Sequence, residues 1–184
     1  MSIFNKAKIL VIGDAMLDKY SFGSTNRISP EAPVPVLKVE RETLKPGGAA
    51  NVAANLSSLG LDVSLLAEVG VDSNGKILRK LLKSLKIDLI SGSNKIYKTT
   101  TKTRVISQNQ QLIRIDDEGD NCNNPINSSN KEIEKLIKKS DAIIFSDYNK
   151  GSLKNISQLI KIANKYKKIV FIDPKGNNFD PYKN

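Results

Sequence analysis

The 184 residues, 39% apolar and 26% charged, predict one ordinary soluble domain with a sizeable core. Histidine is absent and Cys122 is the only cysteine, which removes Ser-His-Asp triads, Cys-His pairs, His-ligated metals and internal disulfides. The formal charge of +10 is almost entirely lysine, scattered in a chain rich in Asn and Ile rather than gathered in a block with aromatics, so it argues for compositional drift over nucleic-acid binding.

The N-terminus, MSIFNKAKILVIGD, has no signal-peptide apolar region followed by a small-residue cleavage site. No apolar run reaches the roughly eighteen residues of a membrane span, so no membrane association and a cytoplasmic location are expected. Residues 7–13, AKILVIG, read as a buried strand. In 19–45, Pro30, Pro33 and Pro35 exclude a helix, and Val34, Val36, Leu37 and Val39 suggest edge strands or a lid. Pro46-Gly47-Gly48-Ala49-Ala50-Asn51 opens a helix running to about Leu59, stopped by Gly60. Asp62 to Val69 is strand-like. The turn at Asp72-Ser73-Asn74-Gly75 starts a helix with Ile77, Leu78, Leu81, Leu82 and Leu85 on its apolar face.

Two strands follow, Tyr97 to Ile106 and Gln110 to Ile115, joined by Ser107-Gln108-Asn109. Residues 119–130 read as an exposed polar loop. Ser129 with Glu132 forms a capping box for a helix with Ile133, Leu136 and Ile137 on one face. Ala142 to Phe145 is a buried strand, Ser152 caps a further helix, and Ile169 to Ile172 is another buried strand. Strand, helix and strand of these lengths imply parallel pairing with right-handed crossovers. The sum is an α/β sheet with an inserted β element, whose ligands belong at the carboxyl ends of the strands.

The residues past those ends are therefore the informative ones: Asp14, Asp18, Asp147, Lys150, Asp173 and Lys175. Asp14 and Asp18 suit either sugar hydroxyls or local caps. Gly47-Gly48 allows close backbone approach at a helix start and Asn51 adds a side-chain amide, which suits a polyhydroxylated ligand or simply a tight loop. It is neither a Walker A loop nor a Rossmann fingerprint. Arg104 and Arg114 lie on paired strands, either as phosphate forks with Arg27 as a third or as exposed cross-strand positions.

Gly47-Gly48-Ala49-Ala50-Asn51 with Gly60 and Gly70 resembles the N-terminal signature of the ribokinase/PfkB carbohydrate kinases. The segments GDAMLDKY, RISPEAPVPV, PGGAANVAANLSSLG, KTRVISQNQQLIRID, FSDYNKG and IDPKG are similar to the members that phosphorylate a heptose 7-phosphate. The resemblance covers essentially the whole chain. It implies a three-layer αβα sandwich with a mostly parallel sheet and a small β lid, the lid formed from 19–45 and 95–116 within one kinase-domain portion, 1–184. It further implies transfer of the ATP γ-phosphate, with Mg²⁺, to the C1 hydroxyl of D-glycero-D-manno-heptose 7-phosphate, a step toward an ADP-heptose lipopolysaccharide precursor.

The resemblance places the sugar phosphate against Asp18, Arg27, Gly47, Gly48, Asn51, Arg104, Gln110, Arg114 and Asp147, and the nucleotide near Lys175. It also implies a homodimer through the lid. The family's Asn-x-x-Glu and Gly-Ala-Gly-Asp motifs do not occur in this sequence. No catalytic base is therefore expected here, little turnover is expected of the chain alone, and a separate C-terminal polypeptide is a candidate partner. A non-catalytic remnant that binds sugar phosphate or dimerises, or a kinase of another sugar, are the competing readings.

Overall fold

The computed structural model describes residues 7–91, 97–119, 125–126 and 131–183. In chain order the elements are β1 (Lys8–Gly13), β2 (Ala15–Ile28), β3 (Pro35–Gly48), α1 (Ala49–Ser58), β4 (Asp62–Leu66), α2 (Ser73–Ser84), β5 (Asp88–Ile90), β6 (Thr101–Ser107), β7 (Gln110–Asp117), α3 (Lys131–Lys139), β8 (Ala142–Ser146), α4 (Ile156–Lys165) and β9 (Ile169–Asp173). A 3₁₀ turn follows at Asp180–Tyr182. None of these helices is long and apolar enough to cross a membrane.

One sheet has five parallel strands in the order β5-β4-β1-β8-β9. Successive residues of a strand face opposite sides, and here both sides are apolar. Leu10 and Ile12 of β1 pack with Ile143 and Phe145 against Ile133 and Ile137 of α3 and Leu159 and Ala163 of α4. Val11, one step out of phase, packs with Val63 and Leu65 against Ala49, Ala50 and Ala53 of α1 and Leu78 and Leu82 of α2. Helices on both faces of the sheet give three layers. The far edge, β9, is different, because Ile169 and Phe171 are 62% and 57% exposed while Val170 and Ile172 face the core.

The second sheet, the lid, has the order β3-β2-β6-β7, with β2 antiparallel to β3 and parallel to β6. Its strands exceed the expected 19–45, since β2 begins at Ala15 and β3 runs on through Pro46 to Gly48. Prolines are compatible with this because β3 is an edge strand and Pro35 is its first residue. Gly47-Gly48 therefore ends a strand, and the helix begins only at Ala49.

The strand expected from Tyr97 starts at Thr101 instead. The residues before it are tied to the start of α2. Asp72 caps that helix by accepting from the Gly75 amide at 2.9 Å, and also accepts from the Thr99 hydroxyl at 2.6 Å and the Thr99 amide at 3.2 Å. Burial works to raise the Asp72 pKa, but these hydrogen bonds outweigh it and hold it below the usual aspartate value.

Ser152 does not cap α4. That helix opens at Ile156 after Asn155, and the Ser152 amide is bonded elsewhere. The three-residue strand β5 was not anticipated, being too short to show a period. Cys122 and Ser129 lie outside the described residues.

Candidate functional site

The two sheets meet just beyond the carboxyl end of β1. Asp14 is fully buried there, and its carboxylate accepts from the amides of Tyr148 (2.9 Å), Lys150 (3.0 Å) and Ser152 (3.2 Å). Its carbonyl accepts from the Ala49 amide that starts α1. Asp14 is thus fully engaged in fastening the 147–152 loop and the α1 start to β1, and its role is structural.

Asp18 lies four residues on, within β2 rather than in a loop. Its cross-strand partners are Lys45 on β3 and Lys102 on β6. Directly opposed residues share a face, so Asp18, Lys45 and Lys102 stand together, with Gly47, Tyr20 and Arg104 on the same face. Arg104 Nη1 donates to Asp18 Oδ1 at 2.7 Å, with only 23% and 16% of the two side chains exposed. That bond raises the Arg104 pKa above its ordinary value, against the opposing effect of burial.

The diglycine is required by this geometry. A Cβ on Gly47 would lie 2.5 Å from Asp18 Oδ2, and a Cβ on Gly48, at φ 56°, would lie 2.4 Å from the Asp14 carbonyl. Helix α1 starts at this point without a side-chain cap, and Asn51 is exposed in its first turn. The arrangement sets a carboxylate and the cations Lys45, Lys102 and Arg104 on one face of the lid, beside a helix start.

The remaining expected residues are distributed more widely. Arg114 is opposite Arg104 on β7 but grips Asp116 at 2.7 and 3.0 Å, which lowers the Asp116 pKa. Arg27 is exposed near the end of β2, paired with Val36. Gln110 pairs with Ser107 at the β6–β7 hairpin, where Gln108 and Asn109 take positive φ of 47° and 64° as a two-residue turn demands. The structure thus gathers Asp18, Gly47, Gly48 and Arg104, sets Asn51 and Arg114 at the margin, and leaves Arg27 and Gln110 at the lid tip.

Asp147 and Lys175 line a separate cleft of about 260 Å³ beyond β8 and β9, with Asn149, Lys154, Asn178 and Tyr182. Asp147 accepts from the Tyr182 hydroxyl at 2.8 Å and from the Asn149 amide at 2.7 Å. Burial first, and this bond second, push the Tyr182 hydroxyl up from its ordinary pKa. The cleft's two lysines, Lys154 and Lys175, suit a polyanion. Among the described residues no three carboxylate or thiol groups gather where a metal ion would fit.

Lys45, Lys102 and Tyr20 were not singled out from the sequence. Their signal was there in principle, since period two from Asp18 reaches Tyr20 and period two back from Gly47 reaches Lys45. It became usable only once the register placed Lys45 opposite Asp18.

A carbohydrate-kinase fold is what this architecture and site define, and residues 6–184 match the model of the pfkB family of carbohydrate kinases. The chain belongs to that family. It is 46% identical over 180 residues to the bifunctional protein HldE of Haemophilus influenzae strain PittEE, and 45% identical over 183 residues to that of Psychromonas ingrahamii. Each alignment takes in 98% of this chain but 38% of the relative, so the chain spans well under half the length of the curated relatives it matches.

Among solved structures, a carbohydrate kinase from Agrobacterium tumefaciens superposes with a TM-score of 0.68 at 20% identity, covering 90% of this chain and 53% of that one. Arabidopsis thaliana ribokinase, solved with ribose and ATP, superposes with a TM-score of 0.69 at 17% identity, covering 94% and 55%. The fold is ribokinase-like: a three-layer α/β sandwich built on a parallel sheet.

Proposed function

We propose that this chain is the sugar-binding and lid portion of a kinase that transfers the γ-phosphate of ATP to the C1 hydroxyl of D-glycero-D-manno-heptose 7-phosphate. The observation that carries the reading is the 46% identity to HldE relatives across 98% of the chain, with the Asp18–Arg104 pair at its centre. Asp18 accepts hydrogen bonds from sugar hydroxyls, Gly47 and Gly48 let that carboxylate and the start of α1 come close together at the sugar, and Asn51 supplies an amide in the first turn of α1. Arg104, with Arg114 and Arg27 further out, answers the charge of a substrate that already carries phosphate. In this reading Gln110 meets the substrate from the lid tip and Asp147 from the edge of the neighbouring cleft, where Lys175 faces the nucleotide phosphates.

ATP suits the two-lysine cleft at the ends of β8 and β9. Mg²⁺ would arrive on the nucleotide's own phosphates, because the described carboxylates of this chain do not assemble a site for it. Phosphoryl transfer depends on positioning and charge neutralisation, so a base and a phosphate-binding helix start from further polypeptide would be needed for turnover. The exposed Ile169 and Phe171 on β9 suit such a polypeptide pairing at that edge. On the lid face opposite Asp18, the exposed Leu44, Ile113 and Ile115 suit a homodimer contact. A cytoplasmic location fits the supply of ATP.

The test measures heptose 7-phosphate binding and ATP-dependent phosphorylation by the purified chain, alone and with the following segment of an HldE kinase region added. Binding by the chain and turnover only on addition supports the reading. An Asp18→Asn variant is expected to lose binding by about tenfold or more. Binding without turnover in either mixture would favour a sugar-phosphate-binding remnant, and no binding would end the reading.

A further inference from the structure

Two cations converge on the Tyr20 ring from the strands on either side of it. Arg104 of β6 lies 5.1 Å from the ring centroid and Lys45 Nζ of β3 lies 5.6 Å from it. Their charges are not equivalent. Arg104 is bonded to Asp18, and that carboxylate's other oxygen is packed against Gly47. Lys102, the third cation of this face, stands opposite Asp116 of β7 and acts on its charge. Lys45 forms no ion pair among the described residues, is exposed, and stands directly across from an aspartate already taken by Arg104. The acidic residues nearest to it along β3 are also occupied, Glu42 by Ser21 and Glu40 by Ser24.

We propose that Lys45, acting with Arg104 across Tyr20, seats the phosphate of the acceptor sugar and so selects a phosphorylated over a free sugar. This rests on the reading of the chain as a sugar-phosphate kinase portion and names the residue that sets its substrate class. Tyr20 is two residues beyond Asp18, which in a strand is about 7 Å. A seven-carbon sugar with hydroxyls on Asp18 therefore presents its far-end phosphate above Tyr20, within reach of the cations on the two sides of that ring. The ring of Tyr20 holds one head on each side of it without neutralising either, so both cations are already close to the point the anion would reach. A free sugar gains nothing from Lys45.

Isothermal titration calorimetry of the chain with D-glycero-D-manno-heptose 7-phosphate and with the dephosphorylated heptose tests this, using wild type, Lys45→Gln and, as a surface control on α4, Lys161→Gln. The wild type and the control are expected to bind the ester at least about tenfold more tightly than the free sugar. Lys45→Gln is expected to lose about tenfold on the ester and nothing on the free sugar, with an unchanged thermal melt. Equal ester affinity in wild type and Lys45→Gln overturns the proposal while leaving the sugar-kinase reading standing. So does a wild type that does not distinguish ester from sugar. A wild type that binds neither overturns both.

Discussion

The two sheets of this molecule are built on opposite principles. The parallel sheet is apolar on both faces, and its central strand β1 buries Leu10, Val11 and Ile12 completely between two helical layers. The lid carries cations and aromatics on one face and half-exposed apolar residues on the other, so Ile113 and Ile115 are 55% and 52% exposed. The first sheet spends its side chains on stability. The second holds its side chains in register for something outside itself, and β2, anchored beside Asp14, joins the two.

Asp14 is where the comparison is most sharply tested. Its carboxylate serves three amides of the 147–152 loop, and Asp14→Ala would leave all three without their acceptor. At about 1–3 kcal/mol for an orphaned buried amide, with Ser152 buried and Tyr148 and Lys150 part-buried, the loss is on the order of 3–5 kcal/mol. That is comparable to the whole stability of many domains, so urea unfolding should show a largely unfolded variant. Asp14→Asn keeps an acceptor oxygen and should recover part of the loss. A variant Asp14→Ala with near-normal stability would mean that the 147–152 loop is held against β1 by packing alone.

The next test removes the same atoms from each sheet. Ile143 is fully buried in β8 and Ile115 is 52% exposed in β7. Ile143→Ala is expected to cost about 2–5 kcal/mol through lost burial and the cavity left behind. Ile115→Ala is expected to cost less than about 0.5 kcal/mol at low protein concentration. A larger, concentration-dependent cost at Ile115 would show that a second copy covers the outer lid face.

This contrast also explains what could be read from the sequence. Ile9 to Ile12 and AIIF are unbroken apolar runs of the kind a doubly covered strand carries, so β1 and β8 were legible without structure. The lid strands were legible in kind but not in extent, because edge position alone decides whether Pro35 and Pro46 are compatible with a strand. Asp18 was visible as a carboxylate after an apolar run. Its partner Arg104 is 86 residues away, and the bond between them depends on a register no local pattern contains. Asp14 shows the same limit from the other side: its spacing suited a ligand contact, while the loop that occupies it lies more than 130 residues further along.

Asp72 offers a smaller effect with a defined pH sign. It caps α2 and also holds Thr99 just ahead of β6, so it links a core helix to the root of the lid. Asp72→Ala is expected to cost about 1–2 kcal/mol at neutral pH. Its pKa is lowered in the folded chain, so this contribution is present above the unfolded value and is lost as pH falls through the folded one. The stability gap between wild type and variant should therefore narrow below about pH 4, as followed by thermal melts across pH. A gap that stays constant to pH 2 would mean that packing around Thr99, not the carboxylate, makes the link.

Ser146, the last residue of β8, should give the smallest effect and reverse its sign. Its hydroxyl is buried and has no hydrogen-bond partner among the described residues. A buried hydroxyl without a partner carries its desolvation penalty and returns nothing. Ser146→Ala should leave stability unchanged or raise it by up to about 1 kcal/mol in urea unfolding. Its backbone would be untouched, so the Asp14 amide bond to the residue 146 carbonyl and the pairing with β1 and β9 persist. A loss of more than about 1 kcal/mol would show that the hydroxyl is bonded in solution, and that the end of β8 belongs with the ligand-facing part of the molecule rather than with its apolar core.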